Sequence, residues 1–125
     1  MVKRIVVAGC RYYNNYGEAK EYIDFCISRI REKYTLVFLS GGCKGADLLG
    51  ERYALENNFQ IEKHPADWEK YGLSAGPKRN KQMAAKGDYI ICFWDGKSRG
   101  TKSLLSYAEK FKKPIKIKYV TANTV

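Results

Sequence analysis

Five short apolar runs, each followed by a segment of different character, constrain the fold of this chain more than any other feature. The runs are rich in β-branched and aromatic residues and are continuously apolar, which is typical of strands that are covered on both faces. Strands that alternate with helices along the whole chain predict a parallel sheet. The predicted strands span 3–8, 36–39, 59–63, 89–93 and 114–119.

The segments between these strands carry apolar residues at helical spacing, which predicts four helices. The first is expected over 17–33, and the second runs from the glycine loop after residue 39 to about residue 57. The third starts with Pro77, a residue suited to a first helical turn, and ends near residue 86. The fourth follows Thr101 and has Leu104 and Ala108 on one face. The sequence therefore predicts an α/β fold, an open parallel sheet of about five strands with helices on both faces.

A length of 125 residues suits one domain, which we assign to residues 1–120, with 121–125 as a frayed C-terminal tail. No apolar run reaches the ~20 residues that cross a bilayer, and the N-terminus lacks the pattern of a signal peptide. The four cysteines form no Cys-x-x-Cys pair and the chain has one histidine, so no metal site is expected. These features predict a cytoplasmic protein without a membrane partner, a metal or a cofactor.

Distinctive loops follow four of the strands, and in a parallel sheet such loops gather at one edge. Ligands of these folds bind outside the carboxyl ends of the strands, so the loops are expected to converge on one crevice. Gly41, Gly42 and Gly45 would present backbone amides to a phosphate in that crevice. Gly100 and Thr101 would do the same at the start of the fourth helix. The alternative is a set of tight turns that bind no ligand.

Charged side chains at this edge add specific chemistry. Arg79 could grip a phosphate with two N–H groups, and Arg11 is a similar but weaker candidate. Asp67 could accept a hydrogen bond from a ribose hydroxyl or act as a general base, and the alternative is a loop cap. Asp95 has the same two interpretations. Asp47 either faces the crevice or only complements the helix dipole.

The candidate site follows from these assignments. Asp67 and Arg79 are the candidate catalytic residues, and Trp68 could stack a base or simply pack at the rim. The residues expected to contact the ligand are Gly9, Cys10, Arg11, Gly41, Gly42, Gly45, Asp47, Pro65, Asp67, Trp68, Arg79, Asn80, Asp95, Gly100 and Thr101.

The loop sequences together resemble a known family, the small YspA/YpsA-related members of the SLOG superfamily. The matching segments are Gly-Cys-Arg at 9–11, Gly-Gly-Cys-Lys-Gly-Ala-Asp at 41–47, His-Pro-Ala-Asp-Trp at 64–68, Ala-Gly-Pro-Lys-Arg-Asn at 75–80 and Gly-Thr at 100–101. The resemblance extends from Lys3 to about Ile117. The superfamily is Rossmann-like, and it includes LOG phosphoribohydrolases, DprA proteins that load recombinase onto single-stranded DNA, and nucleotide-sensing domains.

What the resemblance implies is a nucleotide-type ligand in the crevice, with no reaction fixed. Arg79 resembles an arginine of the LOG enzymes, but the LOG glutamate that acts in cleavage of the N-glycosidic bond has no counterpart after Gly100 and Thr101. Cys10 stands where relatives commonly have serine. Relatives are commonly dimers, so a homodimer is expected.

Three functions follow, in order of preference. The first is binding of a nucleotide or nucleotide-derived ligand, as a sensor or sequestering protein. The second is an N-glycosidase or phosphoribohydrolase acting on nucleoside monophosphates, with Asp67 or Asp95 in place of the missing glutamate. The third is weak, DprA-like binding of single-stranded nucleic acid through the basic surface. It is suggested by a net charge of +10, although the lysines are dispersed over the whole chain.

Overall fold

Five parallel strands form the sheet in the computed structural model of the protein, which describes residues 1–121. The strands are β1 (Val2–Gly9), β2 (Thr35–Ser40), β3 (Gln60–Lys63), β4 (Tyr89–Trp94) and β5 (Ile115–Tyr119). Their order across the sheet is β3-β2-β1-β4-β5, and every neighbouring pair is parallel. This arrangement confirms the predicted α/β fold.

Five helices connect the strands, with one short 3₁₀ turn at Gly72–Ser74. The helices are α1 (Tyr16–Ile27), α2 (Ala46–Glu56), α3 (Trp68–Tyr71), α4 (Ala75–Lys86) and α5 (Arg99–Lys110). The one-turn helix α3 lies in a segment that the sequence predicted as loop. Helix α5 starts before Gly100, so this residue lies inside the first turn rather than ahead of it.

The first helix is shorter than predicted. It ends at Ile27 rather than at residue 33, and turns follow in which Arg31 N donates to Ile27 O and Tyr34 N to Ile30 O. Ile30 still packs against the core from these turns. Apolar periodicity therefore continues past the end of the helix, which explains the overestimate. Residues 122–125 of the predicted tail lie outside the described residues.

The strands are apolar throughout because helices cover both faces of the sheet. Ile5 and Val7 of β1 belong to the core on the side of α1 and α2, whereas Val6 and Ala8 belong to the core on the side of α4 and α5. Neighbouring residues of one strand thus point to opposite helical layers, as the pleat of a strand requires. The continuous apolar runs of the sequence are a direct result of this double coverage.

The crossovers leave the sheet on opposite faces on either side of β1. The chain leaves β1 for α1 on one face, and it leaves β4 for α5 on the other. The loops that follow β1 and β4 therefore diverge and leave a crevice between them, the usual ligand position in such sheets. Gly9 sits at the base of this crevice, where a β-carbon would overlap with the carbonyl of Phe93.

Gly45, just before α2, lies in close contact with the loop after β1. Its φ is +83°, and a β-carbon would overlap with the Cys10 carbonyl oxygen. Replacing Gly45 with alanine is therefore expected to lower the free energy of unfolding by about 1–3 kcal/mol through steric crowding, in addition to backbone strain. Denaturant unfolding would measure this loss.

Gly42 provides a control for a positive φ, because its φ is +75° and a β-carbon there meets nothing within 4 Å. Gly42→Ala should show the strain alone, about 1–2 kcal/mol. Equal losses in the two variants would contradict the steric contribution at Gly45.

Candidate functional site

A cleft of about 460 Å³ opens at the carboxyl edge of the sheet, between the loops after β1, β2 and β4 and the helices α4 and α5. Its volume is in the range of small-molecule sites. It is lined by Ala8, Gly9, Arg11, Tyr12, Cys43, Asp47, Arg79, Asn80, Met83, Asp95, Lys97, Ser98, Gly100, Thr101 and Leu104. The predicted convergence of loops from distant parts of the chain thus exists as a cavity.

The cleft brings together eight of the predicted ligand contacts, namely Gly9, Arg11, Asp47, Arg79, Asn80, Asp95, Gly100 and Thr101. Cys10 is completely buried, and burial raises the pKa of its thiol. The remaining predicted contacts do not line the cleft; they are Gly41, Gly42, Gly45, Pro65, Asp67 and Trp68. Sequence reasoning left Cys43, Lys97 and Ser98 out of the site, although each is close to a predicted residue in the chain.

Asp67 and Trp68 belong to a separate feature at the start of α3. The Asp67 carboxylate accepts a hydrogen bond from Lys70 N at 3.1 Å and caps this helix, and its side chain is exposed. Trp68 packs against Gly76 outside the cleft. The position of Asp67 is therefore accounted for by its capping bond, the alternative interpretation of the sequence, and it gives no support to a catalytic role in the cleft.

The glycine loop before α2 uses its amides internally. Gly42 N donates to Ser40 Oγ at 3.0 Å, and Cys43 N donates to Asp47 Oδ2 at 3.2 Å. The Asp47 carboxylate thus occupies the position at this helix start where a bound anion was expected. Packing explains the glycine at 41, since a β-carbon there would lie 2.5 Å from Arg79 Nη1.

The start of α5 is different, because its first-turn amides are open. Ser98 makes no side-chain cap, and within residues 1–121 the amides of Arg99, Gly100 and Thr101 make no hydrogen bond. Nothing lies within 4 Å of a β-carbon placed on Gly100. A helix start with free amides and open space attracts anions through its partial positive charge.

Arg79 faces the same cleft from α4 and is only 8% exposed. Its Nη1 donates to Gly41 O at 2.8 Å and its Nε to Asn80 Oδ1 at 2.9 Å, which fixes the guanidinium. Its Nη2 has only a weak contact with Cys43 Sγ at 3.8 Å, so N–H donors remain for a ligand. Asn80 Nδ2 in turn donates to Gly100 O at 3.2 Å and ties α4 to the first turn of α5.

The two acids of the cleft have opposite electrostatics. Burial raises the pKa of Asp47 to about 6, against the lowering effects of the Cys43 amide and the Arg79 guanidinium. The Tyr12 hydroxyl and the amides of Ser98 and Lys97 hold the pKa of Asp95 well below its usual range. Asp95 is therefore an ionised loop anchor at neutral pH, while Asp47 can gain or lose a proton near pH 6.

Tyr12 bridges the mouth of the cleft. Its hydroxyl donates to Asp95 Oδ2, which links the loop after β1 to the loop after β4. Tyr12 as a whole is 46% exposed. A partly exposed aromatic ring at the mouth offers a flat surface for a ligand.

The described residues, 1–121, were found to lack two kinds of feature, a metal site and a membrane-spanning helix. No group of histidine, cysteine and acidic residues in this part of the chain is arranged to hold a metal ion. None of the helices found there has the length and apolarity that a bilayer crossing requires.

The parallel sheet and the cleft at its switch point define a Rossmann-like α/β protein. The chain belongs to the YspA, cpYpsA-related SLOG family, whose model matches residues 3–71. This confirms the family resemblance carried by the loop sequences.

Individual proteins also resemble this chain in sequence or structure. The Gene 61 protein of Mycobacterium phage D29 is 31% identical over 120 residues, which cover 91% of this chain and 94% of that protein. TM1055 has a similar structure, with a TM-score of 0.63 and 20% identity over 92% of this chain and 72% of the other. DNA processing protein A (DprA) from Helicobacter pylori matches with a TM-score of 0.67 and 19% identity, over 97% of this chain and 67% of the other. At these identities the two solved structures show a shared fold.

Proposed function

We propose that the protein binds a nucleotide or nucleotide-derived ligand in the cleft, as a sensor or sequestering protein. One observation carries the proposal: Gly100 and Thr101 of the open first turn of α5 line the same cavity as Arg79, whose Nη2 has only a weak partner. Free helix amides and a planar guanidinium are complementary to phosphate oxygens. Membership of the SLOG family supports this class of ligand.

The cleft also suggests how the rest of such a ligand would be held. With its phosphate at Gly100 and Thr101, the ligand has Asp47 nearby as an acceptor for a sugar hydroxyl. Tyr12 at the mouth would provide a stacking surface for the base. The negative charge of Asp47 at the start of α2 disfavours a second phosphate there, so a single phosphate group fits best.

Calorimetry tests the proposal with AMP, ADP, cyclic mononucleotides and ADP-ribose, together with mass spectrometry of small molecules retained by the purified protein. We expect a saturable heat with at least one phosphorylated nucleoside, and weaker or no binding of the same nucleoside without phosphate. The proposal would be overturned if no member of this panel binds and the purified protein retains no nucleotide.

A second candidate function is hydrolysis of the N-glycosidic bond of a nucleoside monophosphate. The observation that favours it is Asp47, whose pKa of about 6 within the cleft suits transfer of a proton near neutral pH. Chromatography of reactions with nucleoside monophosphates would detect the released base. Release that is abolished in Asp47→Asn would support this function, and the absence of release with every base would remove it.

A third candidate is binding of single-stranded nucleic acid. It is supported by the net charge of +10 and by the DprA structure, which is described in terms of a single-stranded DNA binding mode. A cleft of about 460 Å³ has room for one nucleotide rather than a strand, so this function would use the outer surface. A steep fall in affinity for an oligonucleotide with rising salt would support it.

A further inference from the structure

One surface of the molecule combines exposed aromatic rings with lysines, and we call it the aromatic–basic platform. It consists of Trp68, Lys70, Tyr71, Leu73 and Lys78. Trp68 is 50% exposed, Tyr71 40% and Leu73 93%. Large apolar side chains are rarely grouped on a surface at such exposures without a partner.

The platform is held in place by the contacts of α3. The Asp67 cap fixes the start of this helix, and the Trp68 ring rests against Gly76, where a β-carbon would lie 3.2 Å from Trp68 Cη2. Because half of the Trp68 surface remains open, the indole is an anchored ring that can still stack with a partner. The glycine at 76 is what allows the ring to lie this close to α4.

Lysines are placed directly beside the second ring of the platform. The Nζ atoms of Lys78 and Lys70 lie 4.7 Å and 5.2 Å from the Tyr71 ring centroid. Positive charge therefore accompanies the aromatic surface rather than being scattered at a distance from it. Over 67–81 the exposed basic residues Lys70, Lys78 and Lys81 outnumber the acidic residues Asp67 and Glu69.

We infer that the aromatic–basic platform binds single-stranded nucleic acid, with a base stacked on Trp68 and the neighbouring phosphates near Lys70 and Lys78. Aromatic rings interleaved with cations are the general means of holding a single strand, since every base has a face that can stack. The bases of a duplex are not available in this way. The inference rests on the nucleic-acid function proposed above and is independent of the ligand in the cleft.

The charge of the chain favours this occupant over a second copy of the protein. Two copies meeting at this surface would bring lysines together on chains that each carry a net charge of +10. A strand of nucleic acid brings negative charge to the same lysines and gains affinity from release of its counterions.

Tryptophan fluorescence gives a direct test, because the chain contains only Trp68 and Trp94. Trp94 is partly buried, and its Nε1 donates to Ser98 O at 3.1 Å. In a Trp94→Phe variant the emission reports Trp68 alone. We expect titration with a thymidine oligonucleotide at low salt to quench this emission, and added salt to reverse the quenching.

Substitutions then locate the binding. Trp68→Ala should weaken oligonucleotide binding by roughly 10-fold, measured by anisotropy of a labelled strand, whereas Trp68→Phe should retain most of it. Lys78→Gln should lower the dependence of affinity on salt. Thermal unfolding of each variant checks that the fold is intact. If the Ala variant unfolds, the quenching of Trp68 and the reduced salt dependence of Lys78→Gln still test the platform.

Each outcome is decisive. Binding without quenching, and without loss in the Trp68→Ala variant, would overturn the platform while leaving nucleic-acid binding to another surface. No binding at low salt would overturn both. Equal quenching by a duplex, or by polyglutamate, would overturn the assignment of a single strand as the partner.

Discussion

Replacing Arg79 with glutamine is expected to lower the affinity for the nucleotide ligand by roughly 10- to 150-fold. Arg79 is 8% exposed and lines the cleft, and its Nη2 has only a weak partner in Cys43 Sγ, so it would make charge-assisted hydrogen bonds that water screens poorly. Such bonds contribute about 1.5–3 kcal/mol each, which corresponds to this loss. Calorimetry with the tightest ligand of the nucleotide panel would measure it.

Lys81→Gln is the matched control, because Lys81 is an exposed cation on the same helix and does not line the cleft. It removes the same charge and should change the affinity less than about 3-fold, as expected for a screened surface charge. A similar loss in both variants would assign the effect to the general positive field. Thermal unfolding of Arg79→Gln separates lost contacts from lost structure, since this arginine also holds Gly41 O.

The second large effect is on stability. Asp47→Asn is expected to raise the free energy of unfolding at pH 8, because the native carboxylate is ionised there at the expense of burial. Its pKa rises from an ordinary 3.8 to about 6 in the folded protein, which corresponds to about 3 kcal/mol. Asparagine retains an oxygen that can accept the bond from Cys43 N without carrying charge.

The sign of the pH dependence follows from the raised pKa. The folded state binds the Asp47 proton more tightly than the unfolded state, so this stabilisation is complete below about pH 4 and is lost as the pH rises through about 6. The gain in the free energy of unfolding from Asp47→Asn should therefore be large at pH 8 and small at pH 4. Urea denaturation of both proteins at the two pH values measures this difference, and acids common to both proteins cancel.

Asp95→Asn is the companion variant for the other acid of the cleft. Because hydrogen bonds hold the pKa of Asp95 below its usual range, its ionised form is favoured by folding. This substitution should not stabilise the protein at pH 8. An advantage of Asp47→Asn that is the same at both pH values, or that also appears in Asp95→Asn, would contradict burial as the cause.

The central parts of the fold were predictable because they rest on local patterns. Continuous apolar runs such as 89–93 report coverage on both faces, and β4 lies between two helical layers as expected. The ends of helices were harder to predict from the sequence, since Ile30 keeps the helical spacing although it lies in a turn. The four residues of α3 are too few to show a period at all.

The site was predictable to the extent that topology determines it. Gly9 ends β1, Asp95 and Thr101 come after the end of β4, and parallel strands bring such residues to one edge. The hydrogen-bond partners of individual side chains were not predictable. Asp47 turns back to the Cys43 amide and Tyr12 reaches Asp95 across 83 residues of chain, and neither contact leaves a pattern in the sequence.

Asn80 connects the two halves of the proposed phosphate site, Arg79 on α4 and the first turn of α5. Its amide group accepts from Arg79 Nε and donates to Gly100 O, so the guanidinium and the first turn of α5 are held at a set separation. The site therefore cannot adapt to an anion with a different spacing of its oxygens by moving Arg79 or the first turn of α5 alone. The site would therefore discriminate by the dimensions of the anion, and this discrimination would be in place before any ligand arrives.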